Sequence, residues 1–178
     1  VAVTFDGFTR RMFIDGIQDA SQTVTGLIVQ GEGELGIGYD PRGAQPNPWD
    51  GFVDELTIFD HALTPAEIAA LAADSNSNDI ADYWEPFIPA PTPTPNPTPI
   101  PGAENFSLRF DGNDFIYLAP NSALNLSGSL TISAWVKSNG FDGRQQQVFW
   151  RGDTSSGRDP YQLAISDDGR IKFEVNFG

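Results

Sequence analysis

The chain has 178 residues, with 10 Lys and Arg against 24 Asp and Glu, and a formal net charge of −14. Only two of the cations are lysines (Lys137 and Lys172), which leaves no basic footprint for a phosphate backbone and excludes nucleic acid as a partner. The absence of Cys rules out disulfides, thiolate metal sites and a Cys nucleophile, and no apolar run approaches the ~18 residues that a membrane helix needs.

Residues 1–73 open with VAVTFDGFTRRMFIDGIQ, short β-rich runs broken by Asp6-Gly7 and Asp15-Gly16. Asp-Gly tolerates the positive φ of tight hairpin turns, so this part reads as a meander of strands. Six Asp-Gly pairs occur in all, the others at 50, 111, 142 and 168. That density predicts an all-β sandwich or barrel.

One stretch reads as a helix, Leu63-Thr64-Pro65-Ala66-Glu67-Ile68-Ala69-Ala70-Leu71. Thr64 is placed to cap it, Pro65 suits its first position and Glu67 is placed to return a hydrogen bond to the cap. Ile68, Leu71 and Leu63 form a short apolar face, and a helix this brief depends on docking against the body.

Residues 86–101 read PFIPAPTPTPNPTPIP and hold eight of the 14 prolines. Fixed φ and missing N–H groups forbid helix interior and central strand, so the segment is predicted to be an extended linker. The acidic stretch before it carries Tyr83 and Trp84 as its only aromatic groups, placed to dock on a domain surface. The organisation expected is a half-domain at 1–73, a linker at 74–103 and a second half-domain at 104–178.

The last segment runs FSLRFDGNDFIYLAP, SLTISAWVKS, QQVFWRG and YQLAISDDGRIKFEVNFG, strands again. In LTISAWV the alternation sets Ile132, Ala134 and Val136 on one face, predicted core, and Thr131, Ser133 and Trp135 on the other.

The run Trp49-Asp50-Gly51-Phe52-Val53-Asp54-Glu55-Leu56-Thr57-Ile58-Phe59, followed by Ala62-Leu63-Thr64-Pro65-Ala66-Glu67-Ile68, resembles the closing signature of laminin-G-like, concanavalin A-like jelly-roll domains. VAVTFDG with MFIDG resembles the central hairpins of that family, and 106–136 resembles its opening strands. The resemblance implies an all-β, antiparallel jelly-roll β-sandwich with one short helix, presented in inverted order: the closing half precedes the opening half. It further implies a window onto a longer array of such modules joined by Pro-Thr linkers. Two arrangements satisfy it, a permuted sandwich closed within one chain or halves completed by a neighbouring chain. Isolated half-sandwiches would leave strand edges unpaired, so complementation of one kind is required.

For metal binding, the resemblance implies a calcium ion held by Asp54 with Asp111, Asn113 and Asp114, hard oxygens of the type Ca²⁺ prefers. Asp40, Asp50, Asp153 and Asp159 are further oxygens near expected loops. For glycan binding, Trp135, Trp49, Trp150 and Tyr161 are the candidate stacking platforms, with the loops Gly140–Gln147 and Asp40–Pro48 as the rim. Arg151-Gly152-Asp153 spells an adhesion tripeptide at an expected loop, and Asn105 and Asn125 begin glycosylation sequons. No E-x-D-x-E-like strand supplies the carboxylate pair of glycoside hydrolysis, and His61 has no His or Cys partner for a transition metal. The expectation is a non-catalytic module of a secreted or cell-surface protein that binds glycan or extracellular protein and is stabilised by calcium. The alternative is a structural subunit that self-assembles with identical chains into a fibre or sheath.

Overall fold

The structure is a computed structural model; it describes residues 1–29, 33–39, 47–73, 107–141, 143–153 and 158–177. The proline-rich linker, Tyr83, Trp84, Asn105 and Asp40 therefore lie outside the described residues.

The first hairpin joins β1 (Ala2–Phe5) to β2 (Thr9–Ile14), and β2 turns into β3 (Ile17–Thr23). At the second turn Asp15 and Gly16 have φ of 47° and 76°, the left-handed pair that closes a two-residue hairpin with the right twist. Ile14 and Ile17 face each other across it. β4 (Glu34–Ile37) and β5 (Asp50–Phe59) follow, then α1 (Pro65–Ala72). The remaining strands are β6 (Leu108–Asp111), β7 (Ile116–Leu118), β8 (Leu130–Ser138), β9 (Gln146–Asp153), β10 (Arg158–Ile165) and β11 (Ile171–Val175).

Among the described residues, one Asp-Gly pair departs from the turn reading: Asp50-Gly51 opens β5. A Cβ on Gly51 would lie 2.2 Å from the Lys137 carbonyl oxygen, so this glycine admits the close approach of β8 instead of reversing the chain.

The strands form two antiparallel sheets ordered β3-β2-β1-β8-β5-β6 and β11-β10-β9-β4-β7, a jelly-roll sandwich. Both sheets draw strands from both sides of the linker. β1 lies between β2 and β8, and β4 lies between β7 and β9. The two segments thus complete each other's sheets in this structure.

Val3, Phe5, Val53, Phe110, Leu130 and Ile132 of one sheet meet Leu35, Ile37, Phe149, Tyr161, Leu163 and Phe173 of the other in a single core. Each such side chain contributes about 1.5–3 kcal/mol by leaving water. On β8, Ile132 and Ala134 are buried as the alternation requires. Thr131, on the opposite face, is buried too: it accepts from Leu63 N and donates to His61 O, both at 2.8 Å. The reason is α1, which covers that face with Leu63, Ile68 and Leu71 packed on Ala2 and Phe13. Its capping box is complete, with Thr64 Oγ1 accepting from Glu67 N and the Glu67 carboxylate accepting from Thr64 N.

Candidate functional site

At one end of the sandwich the last residue of β6 meets the first of β5, and Asp111 stands directly opposite Asp50. Together with Pro48, Gly140, Phe141, Arg144 and Gln146 they line an open cleft of about 360 Å³. Its geometry is set from beneath. Trp49 is buried, donates its backbone N–H to Gly38 O at 2.9 Å and accepts from Gly112 N at 3.1 Å, which ties the starts of β5 and the β6 turn to the end of β4. Asp50 is further held by the Asn139 side-chain amide, 2.7 Å from Oδ1. Gln146 donates to Gly140 O at 2.8 Å, while its own Oε1 is buried and has no hydrogen-bond partner. An amide oxygen in that state is costly unless a donor or cation meets it.

The four expected calcium ligands do not form one site. Asp54 lies four residues along β5 from Asp50, roughly 13 Å at strand rise, opposite Trp135 of β8. Its Oδ1 accepts from Glu55 N at 2.8 Å, fastening a bulge where Glu55 takes a φ of 49°. Asp54 therefore has a backbone to serve, and the carboxylate that β pairing brings to Asp111 is that of Asp50. Asp111 and Asp114 organise their own turn, Asp111 Oδ1 accepting from Asn113 N at 2.9 Å and Asp114 Oδ2 from Asp111 N at 3.3 Å. Among the described residues, no three His, Cys, Asp or Glu side chains gather as a metal-holding group. A cation in the rim cleft would thus meet two carboxylates and the Gln146 amide oxygen, hard oxygens suited to Ca²⁺, beside the Arg144 side chain that lines the same cleft.

The aromatic candidates divide sharply by burial. Trp49, Trp150 and Tyr161 are 1%, 1% and 0% exposed, so the stacking role expected of them is not available in this structure. Tyr161 lies over Phe149 at 5.8 Å in the core and donates its hydroxyl to Leu124 O at 2.7 Å; burial pushes its pKa up to about 12. Trp135 is different, 43% exposed on the outer face of β8, with Asp54 as its cross-strand neighbour and Phe52 opposite Lys137 two residues on.

The tripeptide Arg151-Gly152-Asp153 is not a loop but the end of β9. Arg151 is buried, and its guanidinium donates to Asn125 Oδ1 at 2.9 Å, so it is not displayed for adhesion. Asp159 is buried as well, while the Asp153 side chain lies outside the described residues. His61 is exposed and paired with Asp60 at 2.9 Å.

Two further surfaces escaped the sequence reading. A groove of about 460 Å³ runs between β2, β3 and β11, lined by Arg10, Arg11 and Lys172. Each cation is already engaged: Arg10 with Gln22 and the Phe173 carbonyl, Arg11 with Asp6, and Lys172 with Glu174. The second is an aromatic cleft of about 180 Å³ on the outer face of the other sheet, lined by Glu34, Gly36, Tyr39, Phe115, Tyr117 and Trp150. Register places Gly36 between Tyr117 and Trp150, and Tyr39 stacks on Phe115 at 5.0 Å. The signal in the sequence was Gly36 within the apolar strand ELGI, a missing side chain that opens space between neighbouring rings.

A family model described as the concanavalin A-like lectin/glucanases superfamily matches residues 1–69 and 110–178. No curated protein and no solved structure matches the chain.

Proposed function

The chain belongs to the concanavalin A-like lectin/glucanases superfamily, and on that premise we propose that it is a non-catalytic recognition module of a secreted or cell-surface protein, binding glycan or protein and stabilised by calcium at the rim cleft. The laminin-G-like fold is that of a carbohydrate- or protein-binding module, commonly extracellular. Among the described residues, no helix is long and apolar enough to cross a membrane.

The observation that carries the calcium reading is the rim cleft, where Asp50 and Asp111 stand opposite each other beside the unpartnered Gln146 oxygen. A divalent cation there would neutralise two apposed carboxylates and satisfy the buried amide, joining β5, β6 and the approach to β9. Trp135 supports the recognition reading. Its exposed ring beside Asp54 pairs an apolar stacking face with a hydrogen-bond acceptor.

Calorimetric titration of the chelator-treated protein with CaCl₂ tests the metal, and a glycan array read with and without calcium tests the recognition. Saturable calcium binding lost in Asp50→Asn, together with glycan binding lost in Trp135→Ala, is the expected result. No heat on titration overturns the calcium site, and an array signal untouched by Trp135→Ala overturns the platform.

A further inference from the structure

We propose that the aromatic cleft around Gly36 binds a quaternary ammonium group. The cleft is built by register. Gly36 of β4 has Tyr117 of β7 on one side and Trp150 of β9 on the other, and a Cβ at this position would lie 3.0 Å from the Tyr39 carbonyl oxygen and 3.7 Å from the Trp150 ring. Only glycine leaves the floor open. The stacked pair Tyr39 and Phe115 stands as a wall, and Phe115 and Tyr117 remain 56% and 52% exposed, large rings held in water.

The polar groups at the cleft select the ligand. Glu34 lies on the same face as Gly36, two residues earlier in β4, and the Tyr117 hydroxyl donates to its carboxylate, which raises the Tyr117 pKa. Glu34 and the Tyr39 carbonyl are acceptors, and the side-chain donors are few: the Tyr39 hydroxyl, the Tyr117 hydroxyl already given to Glu34, and the N–H of the buried Trp150. A sugar needs several donors to satisfy its ring and hydroxyl oxygens. A primary ammonium or a guanidinium brings three or more N–H groups into a site where the main carboxylate is already partly used. A quaternary ammonium brings a full positive charge, a methyl-coated surface and no hydrogen-bond demand. That combination is met by the exposed Phe115 and Tyr117 rings plus one carboxylate. Charge agrees: the chain carries a formal −14, which draws a cation and repels sulfated, phosphorylated or uronate ligands. The cleft volume, about 180 Å³, is below the roughly 300–1,000 Å³ of drug-sized sites and suits a single head group.

The test is titration of the intact chain, in chelator and at low salt, with choline and with its uncharged carbon isostere 3,3-dimethyl-1-butanol, followed by NMR shifts or calorimetry. Expected is saturable choline binding at least tenfold tighter than the isostere, weakened at least tenfold by Tyr117→Leu and by Glu34→Gln, each checked for an unchanged melting temperature. Equal affinity for the two probes would reduce the cleft to an apolar hole and overturn the proposal, as would methyl glycosides binding where choline does not. A parallel arm with phosphatidylcholine vesicles separates the sources. Binding to choline alone assigns a free solute and binding to both a lipid head group, and either outcome supports the ligand chemistry. Because chelator is present throughout, a failure at the rim cleft leaves this result readable.

Discussion

Asp50 and Asp111 are cross-strand partners at the end of the β5–β6 pair, although 60 positions of sequence and the whole linker separate them. Register sets two like charges opposite each other, with the Arg144 side chain lining the same cleft. On the proposed calcium site, calcium is expected to raise the melting temperature, and chelator to lower it. Asp50→Asn should remove that difference while leaving the chelator-treated protein as stable or more so, since it relieves the repulsion. Asp54→Ala should lower stability by about 1 kcal/mol through the loss of its bond to Glu55 N, yet keep the calcium response. Thermal scans of the three proteins with and without CaCl₂ check this directly.

The tryptophans separate structure from recognition. Trp150→Ala should cost about 3–5 kcal/mol, since the side chain is almost wholly buried. Trp135→Ala, with much of its ring in water, should cost under about 1.5 kcal/mol. Chemical denaturation measures both. A large loss for Trp135 would show that it packs as a structural residue and would argue against a platform.

Gly51 fixes how closely β5 approaches β8. Gly51→Ala should destabilise by about 1–3 kcal/mol or more, because its methyl meets the Lys137 carbonyl at 2.2 Å and main chain must move. At Gly112, where a Cβ would meet nothing within 4 Å, the same substitution carries only the strain of positive φ. Denaturation midpoints of the two variants, Gly51→Ala the lower, are the expected outcome.

Stability should fall at both ends of the pH range. Partial burial pushes the Asp6 carboxyl up, but the Arg11 guanidinium and the N–H groups of Phe8 and Thr9 outweigh it and hold its pKa below the ordinary 3.8. An acid with a depressed folded pKa stabilises above its unfolded value and loses that contribution as pH falls through the folded one. Asp6→Asn should therefore flatten the acid limb of stability against pH. Tyr161 acts at the other end. Burial raises it from 10.0 to about 12, so its contribution is complete below pH 10 and is lost as pH climbs toward 12, on the order of 3 kcal/mol. Tyr161→Phe should remove that alkaline dependence, measured by urea unfolding at stepped pH.

Local rules made much of this legible in advance. The Asp15-Gly16 turn, the Thr64–Glu67 capping box and the buried row on β8 each depend on neighbours within a few residues, and propensity and periodicity read such spans well. The same rules misplaced Asp50-Gly51, because an Asp-Gly pair in a strand looks the same on paper as one in a turn. What differs is the carbonyl of Lys137 lying against it, which belongs to a strand more than 80 residues away.

The sequence by itself determined that this is an acidic, Cys-free, all-β chain whose two parts share one family's pattern, since those properties follow from composition and short-range patterning. Only the tertiary structure decided which carboxylate meets Asp111, which tryptophan faces water and that Gly36 opens a cleft between rings from β7 and β9. These are matters of strand register between distant segments. A shift of one residue in pairing turns every side chain to the opposite face, and no local rule specifies register across a linker. The buried Arg151, Trp150 and Tyr161 carry the same types of side chain as a displayed site would. Their roles are set by what the opposite sheet and the neighbouring strands lay over them.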